Sequence, residues 1–229
     1  MTWIGGDSCQ NETGWTHYMK ESGIASEIVV YARSGATWTN TKSTRRNPAH
    51  YSEILHDDNV IYNQAVRLIE ASDSGKASPD IIVLFAGAND AWFAAKRPGI
   101  FDQSEQSAKY DMETDPGAVT SLAGSIRLVS DILQTRFPFA TLLFVTPLQM
   151  SKTDAEIVFK VSDIIEGVAS EKGSTTLRAD KETGITHRQE AKSPQYTYDG
   201  VHTNPSGAAI LGTFITSCLF NLPISQLKN

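Results

Sequence analysis

Only two cysteines, Cys9 and Cys218, occur among the 229 residues, too few and too far apart for a disulfide framework or a zinc pattern. No apolar run approaches the ~18 residues that a membrane span requires, and no charged-then-apolar leader precedes Trp3. Positive charge is also short: the formal net charge is -6, which argues against nucleic acid or an anionic membrane surface as a partner. Neither G-x-G-x-x-G nor G-x-x-x-x-G-K-[ST] occurs, so the Gly5-Gly6 pair after the first apolar run is no signature of a dinucleotide or phosphate loop. The absent G-x-S-x-G counts against the strained nucleophile elbow of another large α/β class. No repeat, low-complexity tract or linker divides the chain, and a single domain over 1–229 is expected. Met1 stands only a few residues before the first motif. The localisation expectation is therefore a soluble protein, cytoplasmic or exported by a segment outside this chain.

What is present fits a globular α/β domain. The hydrophobic fraction is 40% and the charged fraction 20%, and a chain of this length buries a sufficient core without disulfides. Short apolar runs alternate with helical patterns. The runs predict strands at Thr2–Gly6, Glu27–Ala32, Asp80–Ala86, Thr141–Thr146 and Thr175–Ala179. Helices are predicted over Gly14–Ser22, Asp57–Ser72, Val119–Phe137, Thr153–Lys172 and Pro205–Leu219, the last with proline at a favourable first-turn position.

Four short blocks carry chemistry. Gly6-Asp7-Ser8 follows the first strand, where a parallel sheet delivers side chains to its carboxyl edge. Gly35 follows the second strand within Ser34-Gly35-Ala36. After the third strand, Gly87-Ala88-Asn89-Asp90 places a carboxamide where it could donate a hydrogen bond to developing negative charge. Near the end, Asp199-Gly200-Val201-His202 sets a carboxylate three residues before an imidazole, a spacing that can orient Nδ1 and leave Nε2 as a base.

In this order and spacing the four blocks resemble those of the SGNH, or GDSL, hydrolase family. The resemblance spans most of the chain; Cys9 stands where the family more often has an aliphatic residue. It implies a three-layer α/β/α fold with a five-stranded parallel sheet of flavodoxin-like type, and ester hydrolysis through an acyl-serine. By resemblance, Ser8, Asp199 and His202 are the catalytic residues. The backbone N–H groups of Ser8 and Gly35 and the side-chain amide of Asn89 form the oxyanion hole. No cofactor and no metal are implied.

Two long stretches, Thr37–His56 and Ala91–Gly117, follow the second and third blocks and are expected to emerge beside Ser8. They carry Trp38, Arg45, Arg46, His50 and Tyr51, and Trp92, Phe93, Phe101 and Tyr110. Trp38 and Trp92 are candidate substrate contacts, although such aromatics equally serve to fold a loop down. Asp7 and Asp90 read as local backbone-bonding residues, Asp90 as a cap for the following turn. His17, His50, His56 and His187 lack a carboxylate at matching spacing. The run Asp111–Asp115 with Gly117 has the beginnings of a calcium loop, but Leu122 stands where the closing glutamate belongs. The expected activity is a serine esterase acting on short acyl, foremost acetyl, esters of a small molecule or glycan. A lipase, thioesterase or acyltransferase of the same family, or a non-catalytic glycan-binding module, are the alternatives.

Overall fold

A computed structural model of the chain describes residues 1–5, 14–47, 59–102 and 108–222. Among these residues five strands form one sheet: β1 (Thr2–Gly5), β2 (Val29–Val30), β3 (Ile81–Phe85), β4 (Thr141–Val145) and β5 (Thr175–Leu177). Every pairing is parallel and the order is β2-β1-β3-β4-β5, the doubly wound flavodoxin-like arrangement. Thr2 registers with Val29 on one side and Ile82 on the other, and Ile81 registers with Thr141.

Among the described residues eight α-helices accompany the strands: α1 (Trp15–Glu21), α2 (Ile61–Asp73), α3 (Ala88–Phe93), α4 (Leu122–Arg136), α5 (Ala155–Glu171), α6 (Ala179–Glu182), α7 (His187–Lys192) and α8 (Pro205–Asn221). The period of two along the strands divides the core into two faces. On one face Ile82, Leu84, Leu142 and Phe144 pack with α2, α4 and α5. On the other, Val83, Leu143, Val145 and Leu177 pack with Trp15 and Met19 of α1 and Ala208, Leu211, Ile215 and Leu219 of α8. This gives the three-layer α/β/α architecture. Both faces of β4 are covered, and all five of its residues are buried, which explains why it reads as an unbroken apolar run.

The three longest helices, α4, α5 and α8, start where their sequences provide caps. The Ser121 hydroxyl accepts the Gly124 N–H at 3.1 Å, Asp154 accepts Glu156 N–H at 3.0 Å, and Asn204 accepts Gly207 N–H at 3.0 Å ahead of Pro205 at the first helical position. Cys218 lies half-buried on α8. No helix among the described residues is long and apolar enough to cross a membrane.

The sheet departs from the sequence expectation at its edge. β2 covers two residues rather than Glu27–Ala32; among the described residues it pairs only with β1 and has no second neighbour to extend its ladder. The short helices α3, α6 and α7 leave no mark in the sequence pattern; four to six residues are too few to display a helical period.

Candidate active site

The parallel sheet puts the carboxyl ends of its strands on one edge. β3 ends at Phe85 and the chain turns at Gly87, with φ 124°, directly into α3 carrying Asn89 and Asp90. A Cβ on Gly87 would stand 3.0 Å from Val161 Cγ1, 3.1 Å from Ile165 Cδ1 and 3.1 Å from Pro147 Cδ. The position therefore requires glycine twice over, for its backbone angle and for its contact with α5.

After β2, Gly35 sits in a turn at φ 72°, and Ala36 N–H donates back to the Arg33 carbonyl at 3.3 Å. The Asn89 amide donates to the Ala36 carbonyl at 3.0 Å. The second and third blocks are thus joined directly. An amide nitrogen carries two protons, so this bond fixes the orientation of Asn89 and leaves a second donor for a ligand.

Asp90 completes the junction in a way the sequence did not suggest. Fully buried, it does not cap its own turn; its carboxylate reaches across to the segment after Gly35. One oxygen accepts Trp38 N–H at 2.9 Å, and the other accepts Thr39 N–H at 2.9 Å and the Thr39 hydroxyl at 2.8 Å. Burial raises the Asp90 pKa, opposed by these hydrogen bonds and by Arg97. Arg97 ties the same segment from outside, donating to the Thr39 carbonyl at 3.1 Å, the Thr37 hydroxyl at 3.3 Å and the Thr39 hydroxyl.

The fourth block lies on a loop docked beyond the carboxyl end of β4, where Ser151 N–H donates to the Gly200 carbonyl at 2.8 Å. Asp199 Oδ1 accepts the N–H groups of Val201 at 3.0 Å and His202 at 2.8 Å, and its Oδ2 lies 2.8 Å from His202 Nδ1. One carboxylate therefore both closes the turn and holds the imidazole through Nδ1, leaving Nε2 as the ring position for proton transfer. Partial burial would raise the Asp199 pKa, but the His202 N–H, the His202 ring and the Val201 N–H outweigh it and lower the value to about 2. Both side chains are about half exposed, which leaves them accessible to a substrate.

Ser8, with Gly6, Asp7 and Cys9, lies outside the described residues, as do His50, Tyr51 and His56. Trp38 requires a correction. It is fully buried and stacked on Phe144, with ring centroids 5.8 Å apart, so it is a core residue and no substrate contact. Asp90, gripping the Trp38 and Thr39 amides, is what draws this part of the loop inward. Phe101 and Tyr110 pack against the same core face. Trp92, three residues beyond Asn89, is 47% exposed, and Tyr198, just before Asp199, is 68% exposed. Nothing in the local sequence pattern of Tyr198 separates it from an ordinary loop tyrosine.

The remaining described histidines are engaged elsewhere: His17 lies 3.4 Å from Glu21 on α1, and His187 Nδ1 lies 2.6 Å from the Met150 carbonyl. Asp111 and Asp115 accept local N–H groups. Among the described residues no group of three or more His, Cys, Asp or Glu side chains is placed to hold a metal.

Comparison with known proteins accords with this geometry. The family model described as "GDSL-like Lipase/Acylhydrolase family" matches residues 3–210. No curated protein matches the chain. Among solved structures, an acetyl xylan esterase is 19% identical with a TM-score of 0.57, over 95% of this chain and 99% of its own. A carbohydrate acetylesterase from Sinorhizobium meliloti is 15% identical with a TM-score of 0.53, over 96% and 97%. A member of the lipolytic G-D-S-L family from Veillonella parvula is 13% identical with a TM-score of 0.55, over 96% and 98%. At these identities the structures speak for the fold, while the family model speaks for the chemistry: the chain belongs to the GDSL-like lipase/acylhydrolase family of carboxylic ester hydrolases.

Proposed function

We propose that this hydrolase is a serine esterase that removes short acyl groups, acetyl foremost, from a carbohydrate or similar polar alcohol. Ser8 is the nucleophile, His202 the base and Asp199 its orienter. The observation that carries the reading is the Asp199–His202 pair, with Oδ2 2.8 Å from Nδ1 and both side chains open to solvent.

A neutral hydroxyl is a poor nucleophile, so the Ser8 proton passes to His202 as Oγ attacks the ester carbonyl. Asp199 holds the tautomer and stabilises the imidazolium. The tetrahedral oxyanion is met by the N–H groups of Ser8 and Gly35 and the free amide proton of Asn89; losing one such donor typically costs ~10²–10³ in rate. The C–O bond to the alcohol breaks as His202 returns the proton to the leaving oxygen. Water, deprotonated by the same histidine, then releases the acid and regenerates Ser8. Side chains, backbone and water suffice for every step.

The acetyl and carbohydrate parts draw support from two observations. Two of the similar structures act on acetylated carbohydrate by their names. Trp92 and Tyr198 flank the oxyanion and base residues in sequence and are exposed, suited to stacking on a sugar ring. The test is hydrolysis of p-nitrophenyl acetate, butyrate and octanoate by wild type and Ser8→Ala. Expected is turnover that declines with chain length and falls by ~10³-fold or more in the variant. Preference for octanoate refutes the short-acyl reading; turnover unchanged in Ser8→Ala refutes the serine mechanism.

A further inference from the structure

Asp199 and His202 are about half exposed, so water competes for their mutual hydrogen bond, and the loop that holds them must owe its shape to what lies beneath. Beneath it is Glu190, on α7, 1% exposed. It has no ion pair with a cation among the described residues. Among the described residues its carboxylate is satisfied by the segment leading into the loop. Oε1 accepts Gln195 N–H at 3.1 Å and Tyr196 N–H at 3.2 Å, and Oε2 accepts the Thr197 hydroxyl.

Burying a carboxylate without a cation is costly unless donors surround it, and the ester chemistry makes no direct use of this one. Its charge does have a consequence one step away. An ionised carboxylate can only accept, so the Thr197 hydroxyl is obliged to donate to Glu190 and to turn a lone pair elsewhere. That lone pair receives the Gly200 N–H at 3.1 Å. The Gly200 carbonyl is held from the other side by Ser151 N–H, and a Cβ on Gly200 would stand 1.9 Å from Ser151 Oγ. Gly200, directly after Asp199, is thus held at both its N–H and its carbonyl. The antiparallel bridge between Thr197 and Thr203 and the bond from Tyr198 N–H to the His202 carbonyl at 2.8 Å close the same loop.

We propose that Glu190 and Thr197 form a buried relay that positions the Asp199–His202 pair, with Glu190 setting the direction of the Thr197 hydroxyl and Thr197 setting the Gly200 peptide. The relay rests on the serine-esterase reading for its catalytic consequence and on the loop geometry for its structural one, and the two are tested separately.

Thr197→Val keeps the shape of the side chain and removes the hydroxyl; Thr197→Ser restores the hydroxyl; Glu190→Gln keeps the size and removes the charge. With p-nitrophenyl acetate, Thr197→Val and Glu190→Gln are expected to lower kcat on the order of 10- to 100-fold, the scale of a small misplacement of a catalytic group. KM should be unchanged, and Thr197→Ser should stay near wild type. Amide hydrogen exchange, which does not depend on turnover, is expected to quicken at Tyr198, Gly200 and His202 in Thr197→Val, with α4 and α5 unaffected. A Thr197→Val protein with wild-type kcat, or Thr197→Ser as impaired as Thr197→Val, overturns the positioning role. Unchanged exchange over 198–202 overturns the relay itself. If wild type shows no Ser8-dependent turnover, the esterase reading fails, and the exchange result alone decides the relay.

Discussion

Gly87→Ala should destabilise the protein more than any other single added methyl at a positive-φ glycine whose surroundings are described, apart from Gly200. At φ 124° an alanine is held in a backbone region that costs on the order of 1–3 kcal/mol. Its Cβ also meets Val161, Ile165 and Pro147 at 3.0–3.1 Å, and forcing a methyl into a packed contact costs about 1–3 kcal/mol more. The sum, about 2–6 kcal/mol, lowers Tm by at least ~4 °C in a chain of this size. Gly173→Ala isolates the conformational part. Gly173 has φ 66° and nothing within 4 Å of an added Cβ, so its cost is about 1–2 kcal/mol. Thermal unfolding followed by far-UV circular dichroism on both variants gives the comparison. A Gly87→Ala shift no larger than that of Gly173→Ala would refute the claim that this turn is packed against α5.

Asp90→Ala leaves the buried Trp38 and Thr39 N–H groups without acceptors, at about 1–3 kcal/mol each; urea unfolding should show a loss of roughly 2–5 kcal/mol, and a shift below ~1 kcal/mol contradicts the bridge. Trp38→Ala should cost about 3–5 kcal/mol as a core truncation, whereas Trp92→Ala should stay within about 0.5 kcal/mol and instead raise KM for acetylated oligosaccharide. Equal stability losses in the two would undo their assignment to core and surface. The Asp199 pKa is about 2, below its ordinary 3.8. Since the folded value is depressed, its stabilisation is complete above about pH 4 and lost as the pH falls through about 2. The stability gap between wild type and Asp199→Asn should therefore narrow over that window, modestly because the side chain is half exposed; a gap that widens on acidification contradicts the pairing.

The strands were legible because a doubly wound sheet buries both faces and so writes continuous apolar runs, and Ile81–Phe85 and Thr141–Val145 fall within one residue of expectation at each end. Pairing extent at an edge is a tertiary matter, which is why β2 shrank. Of the four blocks, Gly6-Asp7-Ser8 lies outside the described residues; the other three were legible as residue types beside the ends of elements, and the structure adds two junctions: Asn89 to Ala36, and Asp199 to His202. What the sequence could not disclose is where loop side chains go. Trp38 sits in a polar stretch and looks exposed until Asp90 pulls its backbone inward. Glu190 sits in His187-Arg-Gln-Glu190-Ala-Lys192, a run that looks solvated until its carboxylate is seen against residues 195–197.

The central claim is that Ser8 is a nucleophile activated by His202. The most direct measurement is reaction with a fluorophosphonate followed by peptide mass spectrometry, on wild type, His202→Ala and Ser8→Ala. The account predicts one adduct, on the peptide containing Ser8, formed much more slowly in His202→Ala and absent in Ser8→Ala. An adduct on another residue, or labelling of Ser8 at the same rate without His202, would contradict it.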